Sequence, residues 1–331
     1  MLWQGDGLSR ILLLVSAFKE DEEFATAIAE TAGLTLQTEP DPGAAASLVA
    51  NADIGTIMLD ASSEKQYQDF EAAIQSSVGI FSDKINANTI HFICSEDLEN
   101  AKFLTQSPMF GHFVLRNYTS PKENGERYGR LVKATLSERA FGLENLLKPG
   151  TKVQTVKLKL STQKQDAVEA ARQYMISAKF PNRIATVIAN AVDELLMNAI
   201  FDAPVDSLGK PLLSSTSRKT ALKLEGQNQV EMQIGFDGNI IGITASDSYG
   251  SLDKNRLMSH ISKVYNEEEY KVKATVAGAG LGLATVFHSG GSFFFVSENR
   301  VKTEVSVFFQ RHDSYREFKD QFRFLSSQFY F

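Results

Sequence analysis

A single cysteine, Cys94, is present among 331 residues, which excludes an internal disulfide and any fold that depends on cross-links. It sits in the apolar run Ile90-His91-Phe92-Ile93-Cys94, where a small hydrophobic thiol reads as a buried strand residue. Long hydrophobic runs are missing as well: none approaches the roughly 20 residues needed to span a bilayer, so no membrane partner is expected. The run Ile11–Val15 is too short for the core of an export signal and is followed at once by Lys19, Glu20 and Asp21, so the expected location is cytoplasmic. Positive charge is not in excess. The formal net charge is -6, and no nucleic-acid partner is expected. Neither an internal repeat nor a low-complexity tract is evident. What is present, 43% hydrophobic and 22% charged residues, is the composition of a globular protein long enough for two domains, each with its own core.

From residue 9 onward, short apolar runs alternate with helical stretches, the pattern of strands that cross over through helices to parallel neighbours. Strands are expected at 10–15, 34–38, 54–59, 89–94 and 112–115. Helices are expected at 20–32, closing at Gly33, at 44–51 and at 67–78, with a shorter one at 98–105. That succession over residues 1–121 resembles the flavodoxin-like, doubly wound receiver domain of two-component signalling. The resemblance implies a phosphoacceptor at Asp60, at the end of the third strand. It also implies a hydroxyl at Ser95 after the fourth strand and a cation after the fifth, here Arg116 in place of the family's lysine. Receivers carry an acidic pair after the first strand to hold Mg2+, and this chain has Ser16 and Ala17 there. Glu20 and Asp21 come about a turn later and read as helix N-terminal acids. Without a metal to neutralise the transferring phosphoryl group, Asp60 is not expected to accept phosphate, and a receiver-like interaction domain is the preferred reading.

Residues 122–147 read as one amphipathic helix, with Tyr128, Leu131, Thr135, Leu136, Ala140, Leu143 and Leu147 near helical spacing. It closes at Lys148-Pro149-Gly150, which places a linker helix at 122–150. Such a helix is either a spacer or a stripe that pairs with a second copy to make a homodimer.

Past the breaker, strands are expected at 153–160, 220–224, 229–236, 240–246, 292–298 and 303–310, with helices at 164–178, 184–201, 253–265 and 281–290. Three motifs follow one another here. Asp193-Glu194-Leu195-Leu196-Met197-Asn198 lies on a helix, Asp247-Ser248-Tyr249-Gly250 ends a strand, and Gly278-Ala279-Gly280-Leu281-Gly282-Leu283 opens another helix. Glu194 and Asn198 are one turn apart and share a helix face beside apolar neighbours, so this face is expected to meet a ligand. Gly278, Gly280 and Gly282 let backbone approach an anion, and a helix beginning near Leu281 directs N–H groups at it.

The ordered trio resembles the ATP-binding domain of the GHKL superfamily, which includes gyrase-type topoisomerases, heat-shock chaperones, histidine kinases and mismatch-repair ATPases. The resemblance implies an α/β sandwich over 151–312, followed by a tail at 313–331, with ATP and Mg2+ as cofactors. It implies that Asn198 coordinates the Mg2+ and that Glu194 positions or deprotonates an attacking water or hydroxyl. Asp247 would accept the adenine N6 hydrogen bond, and Thr303 would lie beside it. Gly250, Gly278, Gly280, Leu281 and Gly282 would border the nucleotide. The family's Asp-x-Gly-x-Gly is here Asp247-Ser248-Tyr249-Gly250-Ser251, so the loop after Asp247 is differently shaped. Lys271 and Lys273 are candidate phosphate contacts.

None of the five histidines, His91, His112, His260, His288 and His312, lies in the 122–147 helix, which disfavours a self-phosphorylating histidine kinase. Two function classes stay open. One is a kinase of the anti-sigma-factor type that phosphorylates a signalling partner protein. The other is a nucleotide sensor that switches an interaction without transfer.

Overall fold

The computed structural model describes residues 10–78, 85–98, 100–264, 289–319 and 327–331. By its internal contacts the chain divides into two units, Met1–Arg139 and Ala140–Phe331. Both mix helices with sheet, so the mixed α/β class expected from the sequence holds.

In the first unit, β1 (Ile11–Val15), β2 (Thr35–Thr38), β3 (Ile54–Asp60), β4 (Ile90–Cys94) and β5 (His112–Leu115) form a parallel sheet in the order β2-β1-β3-β4-β5. β3 and β4 are almost wholly buried along their length, as near-continuous apolar runs covered on both faces must be. Cys94 is buried in β4, where burial raises its thiol pKa and Sγ donates to the Ala61 carbonyl at 3.2 Å. Helices α1 (Lys19–Ala32), α2 (Pro42–Asn51), α3 (Glu64–Val78) and α4 (Pro121–Leu136) complete the unit. α1 ends at Gly33, whose φ of 76° places it in the left-handed region that glycine tolerates best.

The helix expected over 122–147 is shorter than its spacing suggests. α4 stops at Leu136, and Glu138 takes a positive φ of 56° that turns the chain away. Tyr128, Leu131 and Val132 are buried, so the stripe open to a spacer or to pairing with a second copy is covered within its own unit. The closeness of α4 to α1 depends on glycine. A Cβ at Gly125 would stand 2.4 Å from the Phe24 carbonyl oxygen, and one at Gly129 would stand 2.7 Å from Thr31 Cβ. The rest of the apparent stripe belongs to the second unit. Leu143 and Leu147 are fully buried there, against the strand positions of Gly242 and Gly235.

In the second unit, β6 (Val153–Leu158), β7 (Val230–Phe236), β8 (Ile240–Asp247), β9 (Ser292–Glu298), β10 (Lys302–Gln310) and β11 (Ser327–Tyr330) take the order β11-β9-β10-β8-β7-β6. The pairs are antiparallel except β11 with β9. The β7–β8 hairpin turns as expected at Asp237-Gly238-Asn239, with Asp237 Oδ1 accepting the N–H groups of Asn239 and Ile240. Helices α5 (Lys164–Ser177), α6 (Asn182–Met197), α7 (Lys254–Val264) and α8 (Tyr315–Lys319) accompany the sheet.

Two expectations are corrected here. Residues 220–224 form no strand, only a single bridge between Lys223 and Leu160. The segment expected as a tail at 313–331 carries regular structure, α8 and β11. One helix, Asn182–Asp202, is long and apolar enough to cross a membrane by length and composition, but 61% of its most apolar window is buried inside the protein, as in a core helix.

Candidate nucleotide site

The site begins where α6 loses its regular winding. Ile184, Ile188, Val192 and Leu195 form its buried stripe, and after Met197 the chain widens into a π-turn, Asn198–Asp202, whose Asn198 carbonyl accepts from Ala203 N–H at 2.9 Å. Single π-turns inside helices are frequent at functional positions because they re-aim side chains. Here Asn198 and Asp202 both line a cavity of about 120 Å³. Leu195, Ala245, Leu257, Phe295 and Val305 supply apolar wall, and Asp247 and Thr303 supply polar groups deeper in. Asn198, Asp247 and Thr303, separated by up to 105 residues in sequence, thus meet in one pocket.

Asp247 is the last residue of β8 and stands directly opposite Thr303 of β10. Its carboxyl is buried, with an exposure of 6%. Burial drives its pKa up from 3.8 to about 6, opposed by the backbone N–H groups of Tyr249 and Gly250. The Tyr249 N–H lies 2.9 Å from Oδ1. The nearby Thr303 hydroxyl also opposes the rise. No atom pair there reaches hydrogen-bond geometry, so Thr303 Oγ1 is a buried polar atom without a partner. Such an atom is costly unless something completes it, and a ligand with donors and acceptors would do so.

Around this centre the loop after β8 is fixed. The Tyr249 hydroxyl meets Asn228 Oδ1, and Ser251 Oγ donates to the Ala203 carbonyl at 2.7 Å, tying the loop to the π-turn. Gly250 does not line the cavity. It has a φ of 55°, and a Cβ there would stand 2.0 Å from the Glu298 carbonyl oxygen in the β9–β10 turn. Gly250→Ala is therefore expected to cost about 2–4 kcal/mol, read as a lower midpoint in urea unfolding.

Glu194, one turn before Asn198, is half-buried and is not part of the cavity wall. Burial raises its pKa, and the neighbouring Asp193 adds to the rise. Asp193 is itself engaged by Lys164 Nζ and by Gln165 Nε2, which gives it a structural role between α5 and α6. Asp202, one residue past the helix expected at 184–201, lines the cavity and is held by Arg218 at 3.0 Å. Its four-residue spacing from Asn198 was the available signal. Gly278, Gly280, Leu281 and Gly282, together with Lys271 and Lys273, lie outside the described residues.

A second polar centre lies in the first unit. Asp60 ends β3, Ser95 follows β4 and Arg116 follows β5. Asp21, an acid in the first turn of α1 as its sequence position implies, joins them and is fully buried. Arg116 Nη2 lies 2.7 Å from both Asp21 Oδ2 and Asp60 Oδ1. Burial opposes the Arg116 charge, but Asp21 and then Asp60 hold its pKa above the usual value. With Asp60 already paired, treatment with acetyl phosphate and Mg2+ should add no phosphoryl group. Intact-mass measurement checks this, and an addition lost in Asp60→Asn would refute it.

Among the described residues, no group of three or more His, Cys, Asp or Glu side chains could hold a metal ion. The second-unit pocket fits a nucleotide in its donor set: a buried carboxylate, a partnerless hydroxyl at Thr303 and the Asn198 amide. No family model matches the sequence, and no curated protein matches it.

Proposed function

We propose that the second unit binds an adenine nucleotide with Mg2+, in the manner of GHKL proteins, and that the chain is a signalling protein resembling anti-sigma-factor Ser/Thr kinases. The observation that carries this reading is the convergence of Asn198, Asp247 and Thr303 on one largely apolar cavity. A flat aromatic base suits the wall of Leu195, Phe295 and Val305, with Asp247 accepting from its exocyclic amine. Asn198 would hold Mg2+ through its amide oxygen, and when bound the ion neutralises phosphate charge. Glu194, with its raised pKa, would take the proton from a hydroxyl on a partner protein or from water. The first unit, with its β2-β1-β3-β4-β5 order, would act as a receiver-like docking domain.

A nucleotide-sensing role without transfer is the second reading, favoured by the position of Glu194 outside the cavity wall. Incubation with γ-labelled ATP, alone and with an extract of the source cell, separates the two. A kinase labels a separate protein on a hydroxyl, with no acid-labile, alkali-stable label on its own histidines. Histidine self-labelling would overturn the kinase class, and intact binding without turnover would favour the sensor.

A further inference from the structure

Doubly wound sheets bind ligands in the crevice beyond the carboxyl ends of their strands. In the first unit that crevice is bordered by the residues that end or follow β1, β3, β4 and β5: Ser16, Asp60, Ser95 and Arg116. We propose that Arg116 is a permanent internal cation that occupies this crevice, standing between Asp21 and Asp60 where a divalent ion would otherwise sit, and so closes it to metal and to phosphoryl donors.

A guanidinium has five N–H donors, and here each has an acceptor. Nε reaches Asp21 Oδ1 at 2.9 Å, and Nη2 reaches Asp21 Oδ2 and Asp60 Oδ1, both at 2.7 Å. Nη1 reaches Ser62 Oγ and Ser95 Oγ, both at 2.8 Å. The side chains of Arg116, Asp21 and Asp60 are 6%, 0% and 5% exposed, and the Phe18 ring covers the guanidinium at 4.0 Å from its centroid. The remaining acceptor capacity of Asp21 is taken by Ser16 Oγ and the Tyr118 hydroxyl. Ser62 Oγ and the Ser62 N–H engage Asp60 Oδ1, while Gln66 approaches Oδ2 at 3.4 Å. A small inorganic ion could enter only by displacing a tethered, bidentate partner, which a dilute cation does poorly.

Two carboxylates and one guanidinium leave the cluster with one excess negative charge. Removal of the guanidinium leaves two buried, adjacent carboxylates, an arrangement that demands protonation or a cation. Divalent ions accept such a pair, with water completing their shell. A divalent ion could therefore take the place of a removed guanidinium, and the side chain that excludes it is Arg116.

The full-length parent, Arg116→Met and the double variant Asp60→Asn/Arg116→Met are titrated with Mn2+, free ion being followed by electron paramagnetic resonance. Arg116→Met is expected to gain one site at least about tenfold tighter than any in the parent, and the double variant to lose it. Equal Mn2+ binding by parent and Arg116→Met would overturn the proposal, as would a folded Arg116→Met without a new site. Should Arg116→Met fail to fold, the parent decides. Its Arg116 Nε–H resonance should persist in water and stay sharp with added Mn2+. Broadening of that resonance in the parent but not in Asp60→Asn would show an ion entering beside Arg116 and contradict permanent occupancy.

Discussion

At pH 8, Asp247→Asn is expected to make the nucleotide-free protein more stable than its parent by about 3 kcal/mol, because the parent buries a charged carboxylate there and the variant does not. The folded-state pKa of Asp247 is raised from 3.8 to about 6, chiefly by burial. For a group raised in this way, the contribution to stability is fully present below the unfolded value and is lost as pH rises through the folded one. The difference between variant and parent should therefore be near zero below about pH 4, grow between about pH 4 and 6, and level off above. The amide keeps an oxygen that can accept from the Tyr249 N–H, so the backbone contact need not be lost. Urea unfolding of both proteins across this range checks the curve. A variant less stable than the parent at pH 8 would mean that the carboxylate is compensated by something other than its neighbours here. The gain should come with lost binding. An asparagine can turn a donor toward the exocyclic amine of adenine, and a weakening of about 1–3 kcal/mol, or roughly 5- to 150-fold, is expected. Stability and function thus pull Asp247 in opposite directions, as they do at many binding sites.

Glu194→Gln is expected to leave nucleotide affinity unchanged and to reduce phosphate transfer or hydrolysis by about 100- to 10,000-fold, the range associated with loss of a general base. The amide preserves the shape of the side chain, but it cannot take a proton. Burial and Asp193 together raise the Glu194 pKa, which brings a carboxylate nearer to the basicity useful at neutral pH. Parallel measurement of calorimetric affinity and of phosphate release or transfer checks the split. Equal turnover in parent and variant would remove Glu194 from the chemistry, and loss of affinity would instead place it in binding.

The strands of the first unit were legible because β3 and β4 read as buried apolar runs of strand length between helical stretches. Two polar members of the second unit's pocket were legible because they lie on recognisable motifs, Asn198 on a helix and Asp247 at a strand end. Other features depend on contacts between residues far apart in sequence. Asp21 and Arg116 are 95 positions apart, and nothing near Asp21 announces that its carboxylate is buried. Helical spacing carried the reading of α4 past its true end, because Leu143 and Leu147 continue the period although they pack beside Gly242 and Gly235 instead. The π-turn at Asn198–Asp202 leaves no signature in residue type, so Asp202, one position past the expected helix end, could be found only through its spacing from Asn198. The end of the chain was expected as a tail, because nothing in the four residues of β11 names their partner, yet β11 pairs in register with β9, Phe329 beside Phe295.

The central claim, that Asn198, Asp247 and Thr303 form an adenine-nucleotide site, is tested most directly by calorimetric titration with a non-hydrolysable ATP analogue. The parent, Asn198→Ala and Asp247→Asn would be compared with and without Mg2+. The account predicts Mg2+-dependent binding by the parent, loss of the Mg2+ dependence in Asn198→Ala, and weakening by roughly 5- to 150-fold in Asp247→Asn. Equal affinity in all three proteins, or no binding by the parent, would contradict it.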